Sequence, residues 1–444
     1  MEQKTKKYYI ETYGCQMNKY DSELVAGILN KQGFQQADSV NDSDLILVNT
    51  CSVRQHAENR VLGRLDAFQV LKQENPDLMI GVLGCMAIRL QDQLLSQKSM
   101  VNFVLGPDNY RALPDVLAKL SNGERQKRFS LAEFDNHEIY SELYPNRTTG
   151  FSAWVAIMRG CNNFCSYCIV PYLRGRERSR PAKDIVAEIE KLVDEGFLEV
   201  TLLGQNVNSY LDENHDFADL ITMVAEISGL ERVRFATSHP KDLSPKLIDA
   251  MADHSKVCNH LHLPVQSGSD KILNLMNRKY TRSHYLKLID AVRDRINNPG
   301  LYTDIIVGFP GETEQDFQDT VDLVQRVEFD GAFVFKYSPR EGTTAYQYQE
   351  NLSEKEKVAR LQYLNQIQDE ITLRRNRELV GQAQTILVEG RSRKAKPNQY
   401  MGRTDSNKIV VFNSDKNYEG LLLEATVIAA EGRTLFGKII QGVR

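Results

Sequence analysis

Arg159-Gly160-Cys161-Asn162-Asn163-Phe164-Cys165-Ser166-Tyr167-Cys168 is the stretch on which the reading of this chain turns. Its three cysteines stand at spacings x3 and x2. Thiolates are soft, strong ligands, so thiols this close together point to metal ligation. A structural zinc site closes its tetrahedron with four protein ligands, and this loop offers three. Two readings stay open at this point. One is a zinc ion whose fourth ligand lies elsewhere. The other is a cubane iron–sulfur cluster on three cysteines, with one iron left for a small molecule.

Outward from the loop, residues 151–378 read as strand–helix repeats. The strand Ala153–Met158 runs straight into the cysteines, with Trp154 expected in the core. Further strands end in Gly204-Gln205-Asn206, Thr237-Ser238-His239-Pro240, Val265-Gln266-Ser267-Gly268, Gly308-Phe309-Pro310-Gly311 and Lys336-Tyr337-Ser338-Pro339. Polar loops at one end of about six strands suit a barrel or partial barrel with its site at the carboxyl face. Arg174, Arg176, Arg178 and Arg180 would share one face if extended. They suggest an RNA backbone or another anion as partner, against a merely solvated basic edge. His239 and His262 read as satisfied structural histidines, and Cys258 as structural.

Residues 7–122 repeat the strand–helix alternation and imply an open, Rossmann-like parallel sheet. A helix is expected from about Tyr20, capped by Asp21 or Ser22. Three strands each deliver a cysteine just past their ends: Cys15, Cys51 and Cys85. Ligands bind outside the carboxyl ends of such strands, and neighbouring strands lie about 4.8 Å apart. The three thiols should therefore meet on one rim, as a second three-cysteine cluster site. Residues 123–150 read as a linker.

Residues 381–444 change to short strands parted by Gly, Asn and Asp, a small all-β barrel of OB-like kind. This segment carries ten Lys and Arg against six Asp and Glu. Arg391, Arg393, Lys394 and Lys396 concentrate that charge in one loop, an electrostatic platform for RNA.

The bulk numbers set bounds. The chain has 444 residues and a net charge of −4, so overall charge does not announce nucleic acid and any RNA contact rests on local patches. Seven cysteines, an odd number in a large chain, argue for metal or redox use over a disulfide framework. No apolar run approaches the roughly 20 residues of a membrane span. The first residues lack the apolar core of a signal peptide, so a cytoplasmic protein without a membrane partner is expected; a monomer is expected as well.

Cys-x3-Cys-x2-Cys with Tyr167 before the last cysteine resembles the signature of radical S-adenosylmethionine enzymes. With the second cysteine triad and a C-terminal barrel similar to the TRAM domain, the whole chain resembles the methylthiotransferase family. The resemblance implies an α/β fold with a partial (β/α)6 TIM-like core. It also implies two 4Fe-4S clusters, on Cys161, Cys165 and Cys168 and on Cys15, Cys51 and Cys85, together with S-adenosyl-L-methionine. Tyr167, Gln205, Gln266 and the turn Gly308, Phe309 and Pro310 would lie around that cofactor.

Tyr13-Gly14-Cys15-Gln16-Met17-Asn18 is similar to the branch that acts on isopentenyladenosine beside the tRNA anticodon. Related branches act on threonylcarbamoyl-adenosine or on a ribosomal-protein aspartate. The implied chemistry places a methylthio group on the adenine ring carbon that bears no substituent. Two molecules of S-adenosylmethionine are consumed, and electrons come from a donor such as flavodoxin or ferredoxin. The rival class, an RNA-binding protein with two zinc sites, leaves two sites each lacking a fourth ligand.

Overall fold

The computed structural model describes residues 5–52, 55–122, 128–131, 138–147, 150–392 and 398–442. Apolar runs near the N-terminus build a six-stranded parallel sheet of β1 (Lys7–Tyr13), β2 (Gln35–Gln36), β3 (Leu45–Thr50), β4 (Met79–Gly84), β5 (Phe103–Leu105) and β6 (Phe129–Leu131). The strand order is β2-β1-β3-β4-β5-β6. β3 and β4 are buried at every position, as strands covered on both faces must be. β6 lies in the segment read as linker; three residues, Phe129-Ser130-Leu131, are too few to show a period in sequence.

Register decides where the cysteines emerge. Tyr13 pairs with Thr50, and Thr50 with Gly84. Three adjacent strands therefore end level with one another, and Cys15, Cys51 and Cys85 leave from one rim. The helix after β1 spans Gln16–Lys31, with Cys15 itself at its N-cap. The start expected near Tyr20 is thus one turn late. Asp21 and Ser22 resemble caps in sequence, yet both are buried inside the helix, held by tertiary partners.

The central unit is an open barrel of parallel strands. β7 (Ser152–Ala156) is followed by a short antiparallel pair, β8 (Met158–Arg159) and β9 (Arg178–Ser179), that closes the cysteine loop. β10 (Glu199–Leu203), β11 (Arg232–Ala236), β12 (His260–His262), β13 (Gly300–Val307) and β14 (Gly331–Lys336) continue it. The sheets β11-β10-β7 and β12-β13-β14 meet through a parallel bridge between Val233 and Val257. Val155, Leu202, Phe235, Leu261 and Ile305 pack outward against the helices. Helix packing thus leaves the opposite strand face to the barrel interior.

A helix, Glu354–Arg377, capped by Ser353 and Glu356 in a capping box, leads to the last unit. There β15 (Ala383–Arg391), β16 (Gln399–Thr404), β17 (Ile409–Asn413), β18 (Leu422–Glu431) and β19 (Thr434–Gly442) form a closed barrel. It is fastened beneath the central barrel by two arginines of β11. Arg232 donates to the main-chain oxygens of Arg403 and Thr385 at 2.8 and 2.9 Å. Arg234 donates to those of Asp405 and Thr404 at 2.8 and 2.7 Å. Among the described residues, no helix is long and apolar enough to cross a membrane.

Candidate cluster sites and the cleft between them

The cysteine loop is shaped by one glycine and pinned by one turn. Gly160 has φ +77°, and a Cβ there would lie 1.9 Å from the Arg176 oxygen. Only glycine fits that close, left-handed approach. The amide of Cys161 then donates to Gly175 O at 3.2 Å, and that of Cys168 to Cys165 O at 2.9 Å. From the far side, Ser166 Oγ donates to Leu275 O at 2.7 Å and Asn277 Nδ2 to Phe164 O at 2.9 Å.

Burial pushes the Cys161 thiol up to about 11 and the Cys168 thiol up to about 12. As free thiols these groups are neutral at pH 7, so binding a metal centre must release their protons. Tyr167 packs onto an apolar cluster of Ile272, Met276, Phe309 and Tyr337.

At the carboxyl ends of the strands, unspent polar atoms face the same region. Gln205 Oε1, Asn206 Oδ1 and Ser238 Oγ are buried and, among the described residues, lack hydrogen-bond partners. Buried polar atoms are normally paired, so these three fit a polar cofactor bound beside the cysteine loop. Gln266 is held at φ +72°, uncommon for a residue with a side chain, and its main chain bridges to β13. The amide of Gly308 donates to Glu312 Oε1 at 2.8 Å.

Sequence reasoning missed Arg278. It is 4% exposed and lies between two left-handed residues, Asn277 and Lys279. It donates to Cys165 Sγ at 3.4 Å, to Pro264 O at 2.9 Å and to Tyr280 Oη at 3.0 Å. No sequence signal marks it, because it meets the cysteine loop from more than a hundred residues away.

At the second site, Cys15 lies at the start of a helix, where amide N–H groups favour the thiolate. A hydrogen bond with Cys51 pulls the Cys15 thiol down to about 6 against burial, and Arg174 adds its charge. Burial pushes the Cys85 thiol up. Among the described residues, no three His, Cys, Asp or Glu side chains are gathered as they would be about a single metal ion. The fit of this site to a cluster rests on the aligned strand ends and on the buried positive charge beside it.

A cleft of about 700 Å³ opens between the three units, within the usual size of ligand sites. Cys15 and Cys51 form one wall, with Ala236 and Thr237 from the end of β11. His262, Tyr302, Asp304 and Phe333, from β12 to β14, form the second. Arg403, Asn407, Lys408 and Arg433 form the third. His262 Nε2 pairs with Asp304 Oδ1 at 3.0 Å on the wall of this cleft, a satisfied histidine as expected. His239 is structural: burial drives its imidazole down to about 2, and Nδ1 accepts from the Lys241 amide.

Two expectations need correction. Arg174 does not reach RNA; it is 5% exposed and donates to Asp21 Oδ2 at 3.0 Å. The alternating arginines share no solvent face, because the chain between them is a helix end and a turn. Arg178 pairs with Asp108 and Arg180 with Glu188. Arg176 alone of the four is exposed, its guanidinium 4.4 Å from the Phe164 ring centroid. Phe309 is fully buried, edge-on to Tyr337 at 5.1 Å, so its ring belongs to the apolar cluster against which Tyr167 packs. Arg391 is exposed on β15, whereas Arg393, Lys394 and Lys396 lie outside the described residues.

Residues 155–324 match the radical SAM superfamily, residues 7–106 the uncharacterized protein family UPF0004, and residues 377–440 the TRAM domain. A tRNA-2-methylthio-N(6)-dimethylallyladenosine synthase of Thermoanaerobacter sp. (strain X514) is 47% identical over 442 residues, 98% of this chain and 93% of that protein. The protein so named in Syntrophomonas wolfei subsp. wolfei (strain DSM 2245B / Goettingen) is 48% identical over 443 residues, 99% of this chain and 98% of its own. In fold, the chain resembles TsrM from Kitasatospora setae, a radical S-adenosylmethionine methyltransferase, with TM-score 0.56 and 15% identity over 74% of this chain and 73% of that one.

Proposed function

Because the chain belongs to the radical S-adenosylmethionine methylthiotransferases of the tRNA-2-methylthio-N(6)-dimethylallyladenosine synthase type, we propose that it methylthiolates isopentenyladenosine next to the tRNA anticodon. It is an enzyme that uses S-adenosylmethionine and a 4Fe-4S cluster. When bound, they supply one-electron chemistry able to open an unactivated carbon–hydrogen bond.

Cys161, Cys165 and Cys168 would hold that cluster, with Gln205, Gln266 and Tyr167 around the S-adenosylmethionine. Cys15, Cys51 and Cys85 would hold a second cluster, facing the cleft. The observation that supports this reading is the level ending of β1, β3 and β4, which brings three distant cysteines to one rim, two of them, Cys15 and Cys51, on the wall of a cleft shared by all three units.

This chain's own residues do the positioning. Residues 7–122 present the second triad, 151–378 the cofactor site and 381–444 an RNA-facing barrel. The target adenosine enters the cleft with Tyr302 and Phe333 as apolar walls, and the His262–Asp304 pair orients its polar edge. Arg176 over Phe164 and Arg391 on β15 are exposed cations available to the RNA backbone. The electron donor is a low-potential protein such as flavodoxin or ferredoxin, and the enzyme works as a cytoplasmic monomer.

The test is anaerobic reconstitution with iron, sulfide, reductant, S-adenosylmethionine and an isopentenylated anticodon stem-loop, with nucleosides read by mass spectrometry. A methylthio gain on the modified adenosine is expected. Cleavage of S-adenosylmethionine without that gain would reject the substrate. Neither product, with both triads loaded with iron, would reject the reaction.

A further inference from the structure

Arg278 is a buried guanidinium that pairs with no carboxylate among the described residues. Among the described residues its hydrogen bonds go to Cys165 Sγ, a main-chain oxygen and a tyrosine hydroxyl. Burying a charge is costly unless an opposite charge meets it. The group positioned to meet this one is the Cys165 sulfur, with whatever anionic assembly the three cysteines hold.

The second triad has a similar imbalance. Asp21, fully buried, accepts from both Arg159 at 2.7 Å and Arg174 at 3.0 Å. One carboxylate faces two guanidinium groups, which leaves one positive charge over. Among the described residues Arg174 Nη1 is buried without a hydrogen-bond partner, at the end of the helix Val170–Arg174, whose Leu173 packs against Cys85. The nearby Asp108 is taken by Arg178 at 2.9 Å, so each three-cysteine site has one surplus arginine charge beside it.

We propose that Arg278 and Arg174 are the built-in counter-charges of the two cysteine sites. They are positioning residues: each offsets part of the negative charge of a thiolate-bound cluster and sets how readily that cluster accepts an electron. The step is the uptake of one electron by an oxidised cluster from a low-potential one-electron donor. Its product is more negative by one charge, so a nearby guanidinium favours it. The inference rests on the reading that both triads hold iron–sulfur clusters.

The test uses the full chain reconstituted with iron and sulfide, titrated with dithionite and followed by electron paramagnetic resonance without S-adenosylmethionine. Carrying Cys85→Ala, the chain reports the Cys161, Cys165 and Cys168 cluster alone; carrying Cys165→Ala, it reports the other. Arg278→Gln should make the first cluster about tenfold harder to reduce, 59 mV for one electron, and Arg174→Gln should do the same to the second. Arg278→Lys, which keeps the charge, should stay within about threefold of the parent.

If Arg278→Gln does not load iron while Arg278→Lys does, the need for charge is upheld. A fully loaded Arg278→Gln protein with an unshifted potential, or a Lys variant that behaves like the Gln variant, would overturn the proposal. A change confined to S-adenosylmethionine affinity would overturn it too. Absence of iron from the unaltered chain would bring down the cluster reading itself.

Discussion

Replacing Asp21 with Asn should loosen the N-terminal unit from the barrel. Asp21 is fully buried, and its two oxygens accept from Arg159 at 2.7 Å and Arg174 at 3.0 Å. Each pair is worth about 4 kcal/mol of attraction for charges 4 Å apart at an effective dielectric of 20, largely offset by the desolvation already suffered. Asn keeps the shape and removes the charge, so two buried guanidinium groups stand unpaired. Breaking a buried pair in this way costs about 3–5 kcal/mol.

Global unfolding of a three-unit chain is not a single transition, so the assay is local. Amide hydrogen exchange would follow the helix Gln16–Lys31, strand β8, which carries Arg159, and the helix Val170–Arg174. At about 1.4 kcal/mol per tenfold, exchange limited by opening of this interface should accelerate from about a hundredfold to a few thousandfold. Asp249→Asn is the control: its partner Arg295 is exposed, and such pairs contribute at most about 1 kcal/mol. Acceleration below about tenfold in Asp21→Asn, or equal to the control, would refute the view that this aspartate holds the interface.

Two further outcomes are expected. Burial raises the Glu23 carboxyl to about 7, with Glu188 adding to the rise and Arg147 opposing it. The folded chain therefore keeps a proton that the unfolded chain loses between about pH 4.5 and 7, so this group's stabilisation falls as pH rises through that window. Glu23→Gln should flatten the slope there and leave this helix better protected than in the parent at pH 8, measured by amide exchange of Gln16–Lys31 at stepped pH, corrected for the intrinsic pH dependence of exchange. Gly160→Ala places a methyl group 1.9 Å from the Arg176 oxygen at φ +77°. It should empty the Cys161, Cys165 and Cys168 site while the second triad still loads, read as roughly half the iron per chain in reconstitution.

Much of the fold was legible because its signals are local. Apolar runs ending in Gly, Asn or Thr marked the strands, and a cysteine at the same offset three times marked a rim that needed only register to be completed. The reading failed where a residue's partner lies far off in sequence. Asp21 has the composition of a helix cap and is an interface anchor. Arg174 and its neighbours alternate like a basic edge, but most of them point into carboxylates of other elements. Arg278 and the His262–Asp304 pair belong to sites assembled from elements that only the folded barrel brings together.

The fastening of the C-terminal barrel has a consequence of its own. Arg232 and Arg234 grip main-chain oxygens of residues 385 and 403–405. A carbonyl is supplied by every amino acid, so these four bonds recognise the path of the chain and not its spelling. Two side chains of the same turn add contacts that a substitution would lose at once: Asp405, which accepts from Asn259 N at 2.9 Å, and Lys408, 2.6 Å from Asp330. A foreign five-stranded barrel with the same turn, and with a carboxylate and a lysine in these two places, should seat on the same two arginines.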